Sequence, residues 1–134
     1  MSEDVDALVE LTFAVQGAVA AVAAEHDVTV AQLRLLGILR DHEPTMAQLG
    51  AHLGLDKSSV SGLVDRAQRR GLVIRSAGAH DRRVVHVQVT DAGRELSARG
   101  AAAVEARLGT LLAALDPADR AALVAAARRL VAQR

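Results

Sequence analysis

Between residues 57 and 70 the chain carries Lys57, Ser58, Ser59, Ser61, Asp65, Arg66, Arg69 and Arg70, spaced so that a helix would show them on its outward side. Short hydroxyls at the start of such a helix allow close approach to phosphates and base edges. The free N–H groups of its first turn, with Lys57 beside them, suit a phosphate. The guanidiniums near its far end reach a flanking anion. Further along, Asp81, Arg82 and Arg83 stand together in a polar stretch. A carboxylate there can hold a neighbouring guanidinium through a bidentate pair. An Arg so held fits the narrow minor groove, where negative potential is strong. Either group alone is also what an ordinary solvated surface provides. Their succession, helix then basic hairpin, favours polyanion recognition.

Other chemistry finds little support. There is no Cys, which excludes disulfides, thiolate metal sites and thiol redox sensing, and suits a reducing cytosol. The five His, at 26, 42, 52, 80 and 86, include no pair at i and i+4 on one helix, the spacing a zinc site would use. Asp41, His42 and Glu43 read as a solvated helix end. No Ser-His-acid arrangement, Gly-rich phosphate loop or matched carboxylate pair points to an enzyme, and no cofactor is expected.

The elements that would position these residues follow from apolar period and capping. Val5, Leu8, Leu11, Val15, Ala18 and Val22 recur at helical steps, predicting a helix over 5–25. Thr29 with Gln32 makes a capping box for a second helix, with Leu33, Leu36, Ile38 and Leu39 inward and Pro44 closing it. Thr45 with Gln48 repeats the device for a short third helix, with Ala47, Leu49 and Leu53 inward, Met46 behind it and Gly54 as a left-handed stop. Asp56 caps a fourth helix to Arg70, inward at Val60, Leu63, Val64 and Ala67, with Gly71 after it. The period then changes to two. Leu72–Ile74 and Val84–Val89 predict a hairpin around a polar loop at 76–83. Thr90 caps a helix to about Ala114, and Asp116-Pro117 opens a last helix carrying Leu123, Val124, Ala127, Leu130 and Val131. Four helices, a hairpin and two helices, with a tight helix-turn-helix before a basic hairpin, describe a mainly α (α+β) winged helix-turn-helix with long terminal helices.

The net charge of zero hides a segregation. Residues 1–55 hold two bases against eight acids, a net of −6; residues 56–94 hold eight against four, a net of +4. The middle of the chain is where a polyanion would dock. Aromatic content is 1%, from Phe13 alone, so the core must be built from Ala, Val and Leu. The first six residues carry three acids and no base, the wrong sign for a secretion signal. No run of about 18 uncharged apolar residues suggests a membrane helix.

Three stretches resemble the multiple antibiotic resistance regulator (MarR) family: Met46–Ser61; Leu63-Val64-Asp65-Arg66 continuing to Arg69-Arg70-Gly71-Leu72-Val73; and Asp81-Arg82-Arg83 followed by Val89, Thr90 and Gly93. The last, Asp-any-Arg and then a strand ending in a hydrophobe and Thr with Gly three beyond, is the most specific. The resemblance spans nearly the whole chain. It implies a dimer whose first and last helices intertwine, Arg83 in the minor groove braced by Asp81, and the helix from Lys57 in the major groove. Two positions depart from the pattern: Gly62 stands where a larger, often basic residue is common, and Val89 where Leu is.

The expected whole is a single domain over 1–134, with 30–90 as the DNA-binding winged helix and 1–28 and 91–134 as helical dimerisation parts. Its expected partners are double-stranded DNA at a pseudo-palindromic operator, a second copy of itself and a small-molecule effector, with no membrane. The expected role is a cytoplasmic transcriptional regulator, a repressor released by the effector. The family's effectors lie between the dimer helices and the winged helix; without Tyr or Trp, an aliphatic pocket from the first, second and fifth helices would serve. The rival readings are a winged helix used for protein–protein contact, which would survive loss of the basic wing, and an effector-independent DNA binder, which would not show a footprint restricted to one palindrome.

Overall fold

A computed structural model describes residues 1–78 and 80–133; Ala79 of the expected loop and Arg134 lie outside the described residues. Six helices and one hairpin follow in order: α1 (Glu3–Glu25), α2 (Val30–Leu39), α3 (Met46–Leu53), α4 (Lys57–Arg69), β1 (Val73–Ala77), β2 (Val85–Val89), α5 (Asp91–Leu112) and α6 (Pro117–Ala132).

Local chemistry fixes the helix ends. Thr29 and Thr45 each accept a hydrogen bond from the N3 backbone N–H, while Gln32 and Gln48 accept from the cap's own N–H, so two orphan donors are satisfied at each start. Asp56, Thr90 and Asp116 cap α4, α5 and α6 through the N3 amide. α3 ends on Gly54 at φ 66° and α4 runs into Gly71 at φ 73°, left-handed positions that glycine takes without steric cost.

The core lies between α2, α3, α4 and the hairpin. Its fully buried members include Leu35, Leu36, Leu49, Leu63, Val60, Val64, Val73 and Val87, with α1 contributing Val22 and Ala23. No aromatic takes part. Each buried Leu or Val contributes roughly 1.5–3 kcal/mol.

The hairpin is antiparallel, with Val73 opposite Val89 and Ala77 opposite Val85. Ser76 and Ala77, expected in the loop, belong to β1, because the register set by the apolar end continues through them; Val84 falls in the loop instead. A third segment joins the wing: Thr45 bridges His86, and the Pro44 carbonyl accepts from the Val87 N–H at 2.9 Å. This pairing needs an extended chain, so α2 stops at Leu39, well before Pro44.

Two core assignments are corrected. Leu35 is fully buried although the α2 stripe omits it. Ala47 is exposed, and the neighbouring Met46, half-buried, packs against the core in its place. No residue of α6 is buried among those described.

The terminal helices carry apolar surface into solvent. Val5, Leu8, Val9, Leu11 and Phe13 of α1, Leu111 of α5, and Val124, Leu130 and Val131 of α6 are exposed. By length and composition α1 is apolar enough to cross a membrane, although Asp6 and Glu10 interrupt it and it holds no uncharged run of about 18 residues. Its C-terminal end belongs to the fold, since Val22 and Ala23 are buried and Glu25 is ion-paired with Arg107 of α5.

Candidate nucleic-acid interface

α4 is held by its inward face, with Val60, Leu63, Val64 and Ala67 buried. That fixes which residues face out. Lys57, Ser58, Ser59, Asp65, Arg66, Arg69 and Arg70 are exposed, and Ser61 is half-buried. At the helix start, the Asp56 carboxylate accepts from the Ser59 N–H at 2.8 Å and the Ser58 hydroxyl at 3.0 Å. These bonds, those from Ser59 first, hold the Asp56 carboxyl below the usual carboxylate range. The first turn therefore presents Lys57 and a row of hydroxyls around one satisfied carboxylate.

The arginines of α4 do not act alike. Arg66 folds back over Gly62, its guanidinium 3.1 Å from where a glycine Cβ would stand. The bulk missing at Gly62 is thus covered by a cation from the next turn. Arg69 leans along the helix toward the Asp65 carbonyl, at 3.5 Å. Arg70 turns away to the carbonyl of Asp27, in the α1–α2 connection, so it is not gathered with the others. Asp65 faces the wing, where its carboxylate pairs with Arg75 at 2.8 Å.

Arg75, on β1, did not stand out in the sequence. It also donates to Gln68 Oε1 at 3.0 Å and to the Ser61 carbonyl at 3.4 Å. One side chain thus ties the wing to three residues of α4. The available signal was the two-residue period of β1, which places Arg75 on the side of the buried Val73.

At the hairpin tip, the Asp81 carboxylate accepts from the Arg83 backbone N–H at 2.9 Å, from Nε at 3.2 Å and from a terminal guanidinium nitrogen at 3.3 Å. The carboxyl is held low by Arg83, first through its side chain and then through its amide. The lowered value keeps Asp81 ionised well below neutral pH, so the brace is lost only in acid. The Arg83 side chain is nonetheless 92% exposed. Arg82, beside it, is exposed as well. Among the described residues these guanidiniums make no bond beyond the hairpin tip.

Among the described residues no group of three or more His, Cys, Asp or Glu is placed to hold a metal ion. A groove between α1 and α5, lined by Ala14, Ala18, Leu108 and Leu111, takes no wall from α2. A larger cavity lies between α2 and α3.

Comparison with known proteins agrees with this architecture. The MarR family model matches residues 26–84. The HTH-type transcriptional repressor NicR of Pseudomonas putida is 36% identical over 75 residues, 55% of this chain and 48% of NicR. The chain thus spans about half the length of the curated relatives it matches. Among solved structures, CouR from Rhodococcus jostii bound to p-coumaroyl-CoA superposes with a TM-score of 0.83 at 26% identity, covering 96% of this chain and 90% of CouR. The MepR–DNA complex of S. aureus superposes with a TM-score of 0.79 at 20% identity, covering 100% of this chain and 99% of MepR, a likeness of fold. With the helix-turn-helix, the Asp81–Arg83 wing and the Thr90–Gly93 junction in place, the chain is similar to the MarR family over residues 26–84 and in its overall fold.

Proposed function

We propose that this protein is a cytoplasmic, sequence-specific DNA-binding transcriptional regulator, not an enzyme, acting as a homodimer on a pseudo-palindromic operator. The observation that carries the reading is the hairpin tip: Asp81 grips Arg83 by amide and guanidinium, yet leaves its side chain 92% exposed. A cation preorganised in solvent is suited to an anion outside the protein. In this reading Arg83 enters the minor groove, with Arg82 on a flanking phosphate. Lys57, Ser58, Ser59 and Ser61 meet the major groove and its edge, while Arg66 and Arg69 reach backbone phosphates. Asp65 and Arg70 position α4 rather than touch DNA. Repression with release by a small molecule is the proposed mode, supported by the repressor named among the relatives and by the coumaroyl-CoA-bound neighbour. The test is selection of bound sequences from random DNA. A recovered inverted repeat with half-sites about one helical turn apart fits the reading; no enrichment defeats it.

Residues 1–28 and 91–134 form the dimerisation part in this reading, and 30–90 the DNA-binding part. Apolar patches as large as those on α1 and α6 mark interfaces. The α5–α6 groove offers Leu108, Leu112 and Val124 flanked by Arg120 and Arg128, which suits an α1 that opens with Glu3, Asp4 and Asp6. Sedimentation at micromolar concentration should show a dimer. A stable monomer there would rule out the assembly.

The Arg75 clamp gives a prediction against simple charge counting. Asp65→Ala removes a negative charge from the proposed DNA face. It also strips Arg75 of its ion partner and loosens α4 from the wing. A partly exposed pair is worth about 1 kcal/mol at most, so operator affinity should fall by about threefold to fivefold. Tighter binding in an anisotropy titration would show that Asp65 acts only as a repelling charge.

A further inference from the structure

Gly62 stands inside α4, half-buried, on the side of the helix that faces away from the core. Glycine is the poorest helix former after proline, and Gly62 is not among the residues of positive φ that would call for it. What the missing side chain leaves is space, and that space is filled. Apart from its own stretch of helix backbone, a Cβ there would meet only the guanidinium of Arg66, with Nη1 at 3.1 Å and Cζ at 4.0 Å. The helical glycines Gly17, Gly37 and Gly109 have nothing within 4 Å of the same position.

Three features decide what this guanidinium is for. The first is its level on the helix. Long helical side chains lean toward the N-terminus and cover the turn before their own. Arg66 thus delivers its charge one turn back, in the row of the exposed Ser58 and Ser59. In a helix-turn-helix, that N-terminal half of the second helix is the part that meets base edges. The second is freedom. Arg69 leans on the Asp65 carbonyl at 3.5 Å and Arg70 bonds the Asp27 carbonyl, whereas the Arg66 side chain has no hydrogen-bond or ion-pair partner among the described residues. The third is charge. Asp65, the adjacent acid, is taken by Arg75 at 2.8 Å on the side of the wing, which leaves Arg66 unneutralised.

We propose that Arg66 reads a guanine in the major groove, and that Gly62 sets this specificity by leaving room for the guanidinium at the level of the bases. The planar fork of an arginine donates two hydrogen bonds to guanine O6 and N7. A side chain at position 62 would occupy that place and push the fork toward the rim of the groove. The inference rests on the DNA-binding reading above and narrows it: Arg69 keeps its backbone phosphate, and Arg66 moves from a phosphate to a base.

The test is selection of bound sequences from random DNA with the full-length chain. Anisotropy then compares the selected operator with a copy in which one guanine per half-site is replaced. Wild type should prefer guanine at one position of each half-site by at least about fivefold. Arg66→Ala and Arg66→Lys should both lose the preference at that position alone, because lysine keeps the charge but not the fork. Gly62→Leu should lose it as well, with its melting temperature held or raised. Added to Arg66→Ala, Gly62→Leu should change the discrimination little further. A phosphate contact gives another pattern: Arg66→Ala weakens every sequence alike and flattens the salt dependence, and Arg66→Lys restores both. That pattern, or a guanine preference intact in Gly62→Leu, overturns the assignment and leaves the regulator reading standing. If wild type enriches no sequence, the regulator reading and this inference fall together.

Discussion

Replacing Arg83 by Ala is expected to lower operator affinity at least tenfold while leaving the fold intact. The two halves of this expectation rest on different observations. The side chain is 92% exposed and, among the described residues, bonds only to Asp81 of its own turn, so its removal costs the core nothing. On the proposed reading, a dimer would lose two minor-groove contacts, each worth roughly 1–3 kcal/mol. The dependence of affinity on salt should also become shallower, since fewer counterions are released. Fluorescence anisotropy at two salt concentrations, beside a thermal melt, separates binding from stability. Wild-type affinity in the variant would remove the wing from the interface.

Asp81 sharpens that test. Asp81→Ala takes a negative charge away from DNA, and long-range electrostatics alone would make binding tighter. The carboxylate, however, fixes both the backbone amide and the guanidinium of Arg83. Without it the side chain samples many rotamers, and the order lost must be supplied on binding. Weaker binding of Asp81→Ala identifies preorganisation as the function of the pair.

Much of this architecture was legible because its signals are local. Thr29 with Gln32, Thr45 with Gln48, and Asp56, Thr90 and Asp116 announce helix starts within three residues of themselves, and each cap is made. Gly54 and Gly71 mark stops in the same way. Where packing decides, the reading slipped. α2 touches α1, α4, α5 and β2, so it buries more than one side and shows no clean stripe; Leu35 was missed for that reason. β1 runs on to Ala77 because of strand pairing with a partner beyond the loop, which composition does not reveal. The site divides similarly. The exposed face of α4 follows from its apolar period, and the Asp81–Arg83 pair from its spacing. The destinations of Arg66, Arg70 and Arg75 depend on neighbours brought close by the tertiary fold, such as the Asp27 carbonyl.

The Thr90–Gly93 junction shows why part of the family signature concerns folding rather than DNA, and it yields the largest expected loss of stability. Thr90 donates its hydroxyl to the Gly71 carbonyl at 2.5 Å and its N–H to the Leu72 carbonyl at 3.0 Å, and accepts from the Gly93 N–H at 3.1 Å. These bonds press the first turn of α5 against the backbone where α4 ends and β1 begins. A Cβ on Gly93 would collide with the Leu72 carbonyl oxygen and come within 2.6 Å of the Val89 side chain. The carbonyl is main chain and cannot swing aside. Moving it would break the bond to Thr90 and shift the ends of α4 and both strands together. Gly93→Ala should therefore destabilise the protein by about 3 kcal/mol, the upper end for one added methyl in a filled site. Gly37→Ala is the matched control: its Cβ meets nothing within 4 Å, so helix propensity alone should raise stability by up to about 1 kcal/mol. Urea unfolding at equal protein concentration measures both, since the stability of the proposed dimer would depend on concentration. If Gly93→Ala unfolds within about 0.5 kcal/mol of wild type, a change expected of an ordinary surface site, the junction is not held by backbone contact and Gly93 must be explained in another way.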